Sequence, residues 1–394
     1  MRRRITALVV LINVFGMMII PQARANSGGS VLNRQTAVNL VVENSIALWN
    51  ASEEEKFAKK DYEEQVARSK SIDTEKIFLF EHPLTGEEVY YYYTSAEQMQ
   101  LRLLKEFVPE TLKFNHEVKE KTIRLTENAV SNAADNLFLG LYSTYQSIKL
   151  AEKGLELAKK NLDRQKELFS KGMITGLDLE DAVLDLKEAE NSVEKARRDF
   201  DNMHRQFNRL AGLQQDFRYD LIGTPWINSE YNIPLTEEEA VKSALENRME
   251  IWSTKRQIEL VEFRMEIYRH KNVYKFDYQT IKDYREAQDE LERLKLTLSE
   301  LEYDIEKEIR QAYKQLQKNY NDFEISKLNL ARQKNQLETL KKQYEAGLIP
   351  VSVIEQMELA IDQLEFAVNI NYISLLNRKD QFLRAVSVGP GLSE

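Results

Sequence analysis

From residue 235 to residue 346 the chain contains neither glycine nor proline. Those two residues punctuate chains more strongly than any others, so their absence over so long a stretch argues against a compact, many-turned domain. The stretch is instead rich in Glu, Lys, Leu, Gln and Arg, which are good helix formers. It predicts one very long helix, or two with a single interruption at residues 271–278, where aromatic and β-prone residues collect. The first half reads similarly over residues 109–170, with Gly140 and Gly154 tolerated inside it. Pro109 suits the opening turn of that helix, because its missing N–H is not needed there. Residues 110–170 alone would make a rod of about 90 Å at about 1.5 Å per residue.

The apolar residues in these stretches recur every seven positions. Leu141, Ile148, Leu155, Leu162 and Phe169 form one stripe, and Thr144, Ala151 and Ala158 follow its first three members by three. Leu316, Phe323, Leu330, Leu337 and Tyr344 repeat the stripe 175 residues later. Heptad spacing sustained over five members is the seam of a coiled coil.

The chain is also a tandem duplication, and internal repeats constrain architecture more than any local signal. Leu32, Ala37, Val38, Glu43, Asn44 and Trp49 match Leu235, Ala240, Val241, Glu246, Asn247 and Trp252 at a constant offset of 203. Further along the offset becomes 175: Phe138, Leu141 and Tyr145 match Tyr313, Leu316 and Tyr320, Gly172 matches Gly347, and Phe207 and Arg209 match Phe382 and Arg384. The difference, 28 residues, is an insertion in the first copy. It falls around residues 72–97, where Pro83, Gly86 and the run Tyr90, Tyr91, Tyr92, Tyr93 break the helical pattern. The expected division is a signal peptide at 1–25, a first repeat at 26–222 and a second at 223–394.

Each repeat breaks its long helix once, at residues 171–178 and 346–353. Gly172 and Gly347 suit the left-handed position that ends a helix. Thr175, or Asp178 slightly later, can cap the returning helix, and in the second copy Pro350 opens it with Ser352 nearby. Apolar periodicity resumes through Leu179, Ala182, Leu186, Ala189, Val193, Phe200 and Phe207. Each break is therefore the tip of an antiparallel hairpin. Turns are usually polar, whereas these carry Met173, Ile174, Leu348 and Ile349, which points to a docking surface, with local packing at the tip as the alternative.

At these residues the chain resembles the TolC-like outer-membrane efflux protein family. Its tips place an aromatic three residues before the glycine, Phe169 before Gly172 and Tyr344 before Gly347. The segment from Leu235 through Glu237, Glu238, Glu239 and Ala240 to Arg248 resembles the one that opens each half in that family. The likeness spans nearly the whole chain after the signal and includes the duplication. It implies a mainly all-α fold: two tandem long coiled-coil hairpins contributing to a trimeric α-helical barrel. The family's tips grip a periplasmic adaptor (membrane fusion protein) joined to an inner-membrane pump, in tripartite efflux or type I secretion. Carried onto this sequence, Gly172, Met173, Ile174, Thr175, Gly347, Leu348, Ile349 and Pro350 would be the adaptor-docking turns. Acidic residues six and nine positions after the tip glycine are kept as Asp178 and Asp181 in the first copy, but are Val353 and Gln356 in the second.

A second departure concerns the membrane. The family inserts two strands per repeat, and a spanning strand needs ~9–11 alternating residues. The first copy offers only residues 77–80 and 89–93, and the second only 273–278. The expectation is a TolC-like helical body with at most a small β-element in residues 72–97 in place of a barrel.

The N-terminus reads as a secretory signal. Arg2, Arg3 and Arg4 precede an uncharged apolar run over residues 5–20, Pro21 ends it, and Ala23-Arg24-Ala25 offers small residues for cleavage before Asn26. The run is shorter than the ~20 residues of a spanning helix. With no cysteine in the chain, disulfides, thiolate metal sites and lipid attachment through cysteine are excluded. The sequence holds 55 basic and 64 acidic residues and lacks the basic footprint of a nucleic-acid binder. Mean hydropathy is −0.52, which fits elongated helices with much exposed surface.

No catalytic or metal constellation emerges, so neither an enzyme nor a cofactor is expected. His82, His116, His204 and His270 share no ligand spacing and read as solvent-facing. The run Glu237, Glu238, Glu239 sits in a first helical turn, where acids favour the macrodipole, and Glu53, Glu54, Glu55 reads as a solvated face. The four tyrosines at 90–93 fit an aromatic girdle at a membrane or a strand packed over the helices. The leading function is a passive conduit, a homotrimeric envelope duct with partners supplying energy. The competing one is a secreted coiled-coil scaffold or adhesin that conducts nothing. An adaptor-type protein is disfavoured, because adaptors bring β-rich domains and a single hairpin.

Overall fold

The computed structural model describes residues 31–219, 221–223 and 235–389; the signal segment lies outside them. In chain order the elements are β1 (Val31–Leu32), α1 (Arg34–Glu43), α2 (Ile46–Lys70), β2 (Lys76–Glu81), β3 (Glu88–Tyr92), α3 (Ser95–Arg102), α4 (Val108–Ser170) and α5 (Gly176–Leu210). Then follow β4 (Leu221–Ile222), α6 (Glu237–Asn247), α7 (Met249–Tyr268), α8 (Tyr278–Glu345) and α9 (Val351–Val386). Helices α4 and α8, of 63 and 68 residues, are about 95 and 100 Å long. They pack against α5 and α9 as two antiparallel hairpins.

Local chemistry starts these helices. Asn33 and Thr236, equivalent at the 203 offset, both form capping boxes, with Thr36 and Glu239 returning the bond. Asp277 caps α8 by accepting from the Thr280 N–H. The break between α1 and α2 at Ser45 recurs between α6 and α7 at Arg248, whose backbone is extended. That second break was not expected from a stretch free of glycine and proline. A tertiary contact makes it: the Arg248 guanidinium is buried, donating to Glu308, Glu250 and the Ala385 carbonyl.

The expected interruption at 271–278 exists but is not a strand. Residues His270–Lys275 form a 3₁₀ turn in which Lys271 and Asn272 take positive φ and Val273 is buried. The first long helix also starts earlier than Pro109. Helix α3 runs through a π-helical turn, Leu103–Phe107, directly into α4. Val108 donates to the Leu103 carbonyl, one residue beyond the α-helical partner. The widened turn accommodates Pro109, which cannot donate and would crowd the carbonyl four residues back.

Burial is divided among local clusters rather than one thick core. Phe138, Leu141, Phe207 and Ala211 centre the first, with α1 and β1 contributing Ala37, Val41 and Leu32. Ile309, Leu316, Leu375 and Phe382 centre the second, and Met99, Ile267 and Val273 a third. Each wholly buried aromatic or aliphatic side chain contributes about 1.5–3 kcal/mol. Gly140 faces Met203, whose Cε would lie 3.0 Å from an added Cβ, so the missing side chain lets α5 come close to α4.

Several polar residues serve packing that the sequence did not reveal. None of the four histidines is fully exposed. His204 is wholly buried between Phe200 and Tyr219, because it falls on the inward stripe of α5 between Phe200 and Phe207. His116 lies 2.7 Å from Glu55, and Lys119 2.7 Å from Glu54. Glu54 and Glu55 therefore tie α2 to α4, while Glu54 itself stays exposed and Glu53 pairs with Lys56 on its own helix.

Strands β2 and β3 pair antiparallel with a bulge at Leu79, and the four tyrosines belong to β3 and the residue after it. The sheet has two strands of six and five residues, well below spanning length. It is not packed over the helices: Ile77, Phe78, Leu79 and Phe80 are each about half exposed. Strands β1 and β4 pair in parallel over two residues each.

Candidate docking site at the hairpin tips

The two tips are built alike. After α4, Gly172 takes φ +70 and donates to the Phe169 carbonyl at 2.9 Å, while Met173 donates to the Leu168 carbonyl at 2.9 Å. After α8, Gly347 takes φ +72 and donates to Tyr344 at 2.8 Å, and Leu348 to Gln343 at 2.9 Å. This pair of crossed bonds is a Schellman motif, and it satisfies carbonyls a helix end leaves open. Only glycine adopts that φ without a Cβ penalty. The aromatic three residues before each glycine thus supplies the carbonyl that closes the turn.

The returning helices start differently. Thr175 caps α5: its N–H and hydroxyl donate to Asp178 at 2.8 and 2.7 Å, and the Asp178 N–H donates back to the hydroxyl at 3.3 Å. The Thr175 hydroxyl, then its N–H, hold the Asp178 carboxyl below its ordinary range. Asp178 is therefore committed to its own helix cap, whereas Asp181 is exposed on the first turns of α5. Pro350 is itself the N-cap of α9, one position earlier than expected, with no side-chain bond.

Of the four apolar tip residues, Met173 and Leu348 are 68% and 73% exposed. Ile174 and Ile349 are half-buried, and Ile349 packs onto the cluster of Leu337, Ile354 and Ile361 below it. The expectation of four exposed residues is corrected to two. Leu177 and Val351, at the first turns of the return helices, are also exposed and were missed; standing next to the caps, outside the heptad stripe, was their signal. Each tip presents an apolar point on a stiff arm; of the acids beside the first tip, Asp178 is held in its helix cap and Asp181 is exposed. Among the described residues no cluster of His, Asp and Glu could hold a metal, and no helix is long and apolar enough to cross a membrane.

No protein-family model and no curated protein matches the sequence. Solved structures do match, over nearly the full length. The chain superposes on CusC with a TM-score of 0.64 at 12% identity, covering 90% of this chain and 92% of that one. The chain has a TolC-like fold. The CmeC outer membrane channel of Campylobacter jejuni gives a TM-score of 0.60 at 14% identity, with 91% and 86% covered. The outer membrane protein VceC of Vibrio cholerae gives 0.63 at 12%, with 90% and 96% covered. The TolC-like fold persists at such low identity because long hairpins ask for heptad periodicity and correctly placed breaks rather than particular residues.

Proposed function

We propose that this chain is one subunit of a homotrimeric, TolC-like duct in a bacterial envelope, built from repeats 26–222 and 223–394. It conducts substrates passively in a tripartite efflux or type I secretion assembly, and it is not an enzyme. The observation that carries the reading is the pair of matching glycine turns, each ending an arm about 100 Å long, in a fold shared with outer-membrane channels. A conduit needs a wall and a grip. The long helices supply a packed face for the wall, and Gly172, Met173, Ile174, Thr175, Gly347, Leu348, Ile349 and Pro350 supply the grip for a periplasmic adaptor whose inner-membrane pump provides the energy. The TolC-like body stands in the envelope with the 76–92 hairpin in place of a full-length barrel hairpin.

The deciding experiment is the mass of the mature protein by light scattering or native mass spectrometry. The reading expects a trimer. A persistent monomer in both buffer and detergent overturns it, and a trimer imaged as a solid rod would favour the scaffold.

A further inference from the structure

After α5 a loop, residues 211–219, carries the chain out of the first hairpin toward β4, the strand paired with β1. One side chain holds this loop. The Asn208 amide nitrogen donates to the carbonyls of Gln214, Gln215 and Phe217 at 3.1, 3.3 and 2.9 Å. Gly212, at φ +69, folds the chain back, and a Cβ added there would stand 3.3 Å from Asn44, at the break between α1 and α2.

One turn earlier on α5, His204 Nδ1 lies 3.4 Å from the same amide nitrogen. Both residues are wholly buried. The three carbonyls identify the amide atom among them as nitrogen, so the Nδ1 that faces it is an acceptor and the ring is neutral. The other polar atoms of the pair, His204 Nε2 and the Asn208 oxygen, have no partner among the described residues. Phe200 and Tyr219 enclose the imidazole at 5.6 and 5.8 Å.

A protonated ring does not fit this arrangement. Both of its nitrogens donate, so turning it over changes nothing. Its Nδ1–H meets a donating nitrogen. If the amide turns to offer its free oxygen instead, that oxygen faces three carbonyl oxygens, and the loop loses its donor. Of the charges nearby, Arg218 on the loop opposes protonation. Asp201 on α5, paired with Arg218 at 3.2 Å, favours it. On the far side of Phe200, α4 contributes Tyr145 and the Lys149 ammonium over its ring. At the 175 offset the second repeat has Lys379 and Leu383 in place of His204 and Asn208, so it carries no such pair at those positions.

We propose that His204 is an acid-operated latch: its protonation frees the 211–219 loop from Asn208 and opens the exit of the first hairpin, while the hairpin itself stays folded. The latch lies within one chain and is independent of the duct reading above.

The chain has no cysteine, so a nitroxide on D216C, at an exposed position of the loop, reports the loop alone. In the full chain the probe is expected to be immobile at neutral pH. It should become mobile, reversibly, as the pH is lowered through about 4, the value to which burial pushes the imidazole. The mobile-to-immobile ratio should rise about tenfold per pH unit, the slope of one proton, with helical ellipticity kept. His204→Gln, whose amide oxygen can accept from Asn208 without titrating, and His204→Phe, which keeps the packing, should hold the probe immobile into acid in at least one case. Asn208→Leu should leave it mobile at every pH. The latch is overturned by an acid response that survives in both His204 variants, or by a probe mobile in both at neutral pH. A wild-type probe that never moves, or moves only as helicity collapses, overturns it as well.

Discussion

Phe207 on α5 and Phe382 on α9 stand 175 residues apart and occupy the same place in their hairpins, both essentially without solvent exposure. Phe207 packs in the cluster of Phe138 and Leu141, and Phe382 in that of Ile309 and Leu316. Each hairpin therefore has its own anchor, and the two clusters can be weakened separately. Phe207→Ala and Phe382→Ala should each cost about 3–5 kcal/mol, with Leu at either site costing less. Chemical denaturation followed by circular dichroism checks this. A double variant far from the sum of the singles would show that the clusters are one unit.

Gly347→Val places a β-branched residue at φ +72, a strain of about 1–2 kcal/mol confined to the turn. No atom lies within 4 Å of the added Cβ, so the helices should keep their ellipticity. Capture of a cognate adaptor in a pull-down should be lost. Unchanged capture would remove the docking role from this turn.

His204 gives the protein a pH dependence. Burial first, and then the nearby Arg218, push its imidazole down to about 4. The neutral ring accepts at Nδ1 from Asn208 at 3.4 Å, and its Nε2 has no partner. The unfolded chain takes up this proton near the ordinary value of about 6.5, whereas the folded one waits until about 4. Stability contributed by His204 is thus complete above pH 6.5 and falls as the pH drops from there through about 4. His204→Phe should flatten the melting temperature across that window. An identical slope in both proteins would assign the dependence elsewhere.

The β2–β3 hairpin stands clear of the four helical clusters. Replacing Ile77, Leu79 and Phe80 together by threonine should therefore leave the thermal midpoint of the helical body within about 2 °C, an effect under ~1 kcal/mol. Solubility should rise, because exposed apolar strand edges pair between chains. A large drop in the midpoint would mean that the hairpin is packed in solution.

The helices, their heptad seams and both glycine turns were legible because they depend on local rules: propensity, period, and the φ that only glycine takes freely. The 203 and 175 offsets located the corresponding segments because duplicated structure keeps its spacing. Tertiary structure alone decided the rest. Arg248 ends α6 because its side chain finds Glu308 and the Ala385 carbonyl from elements far away in sequence, and no local signal encodes that. His204 is buried because α5 turns it toward Phe200 and Tyr219. Ile349 looked as exposed as its neighbours until Leu337, Ile354 and Ile361 packed against it. Periodicity fixes which face of a helix is apolar, but only the packed partners determine which polar residues that face takes in with it.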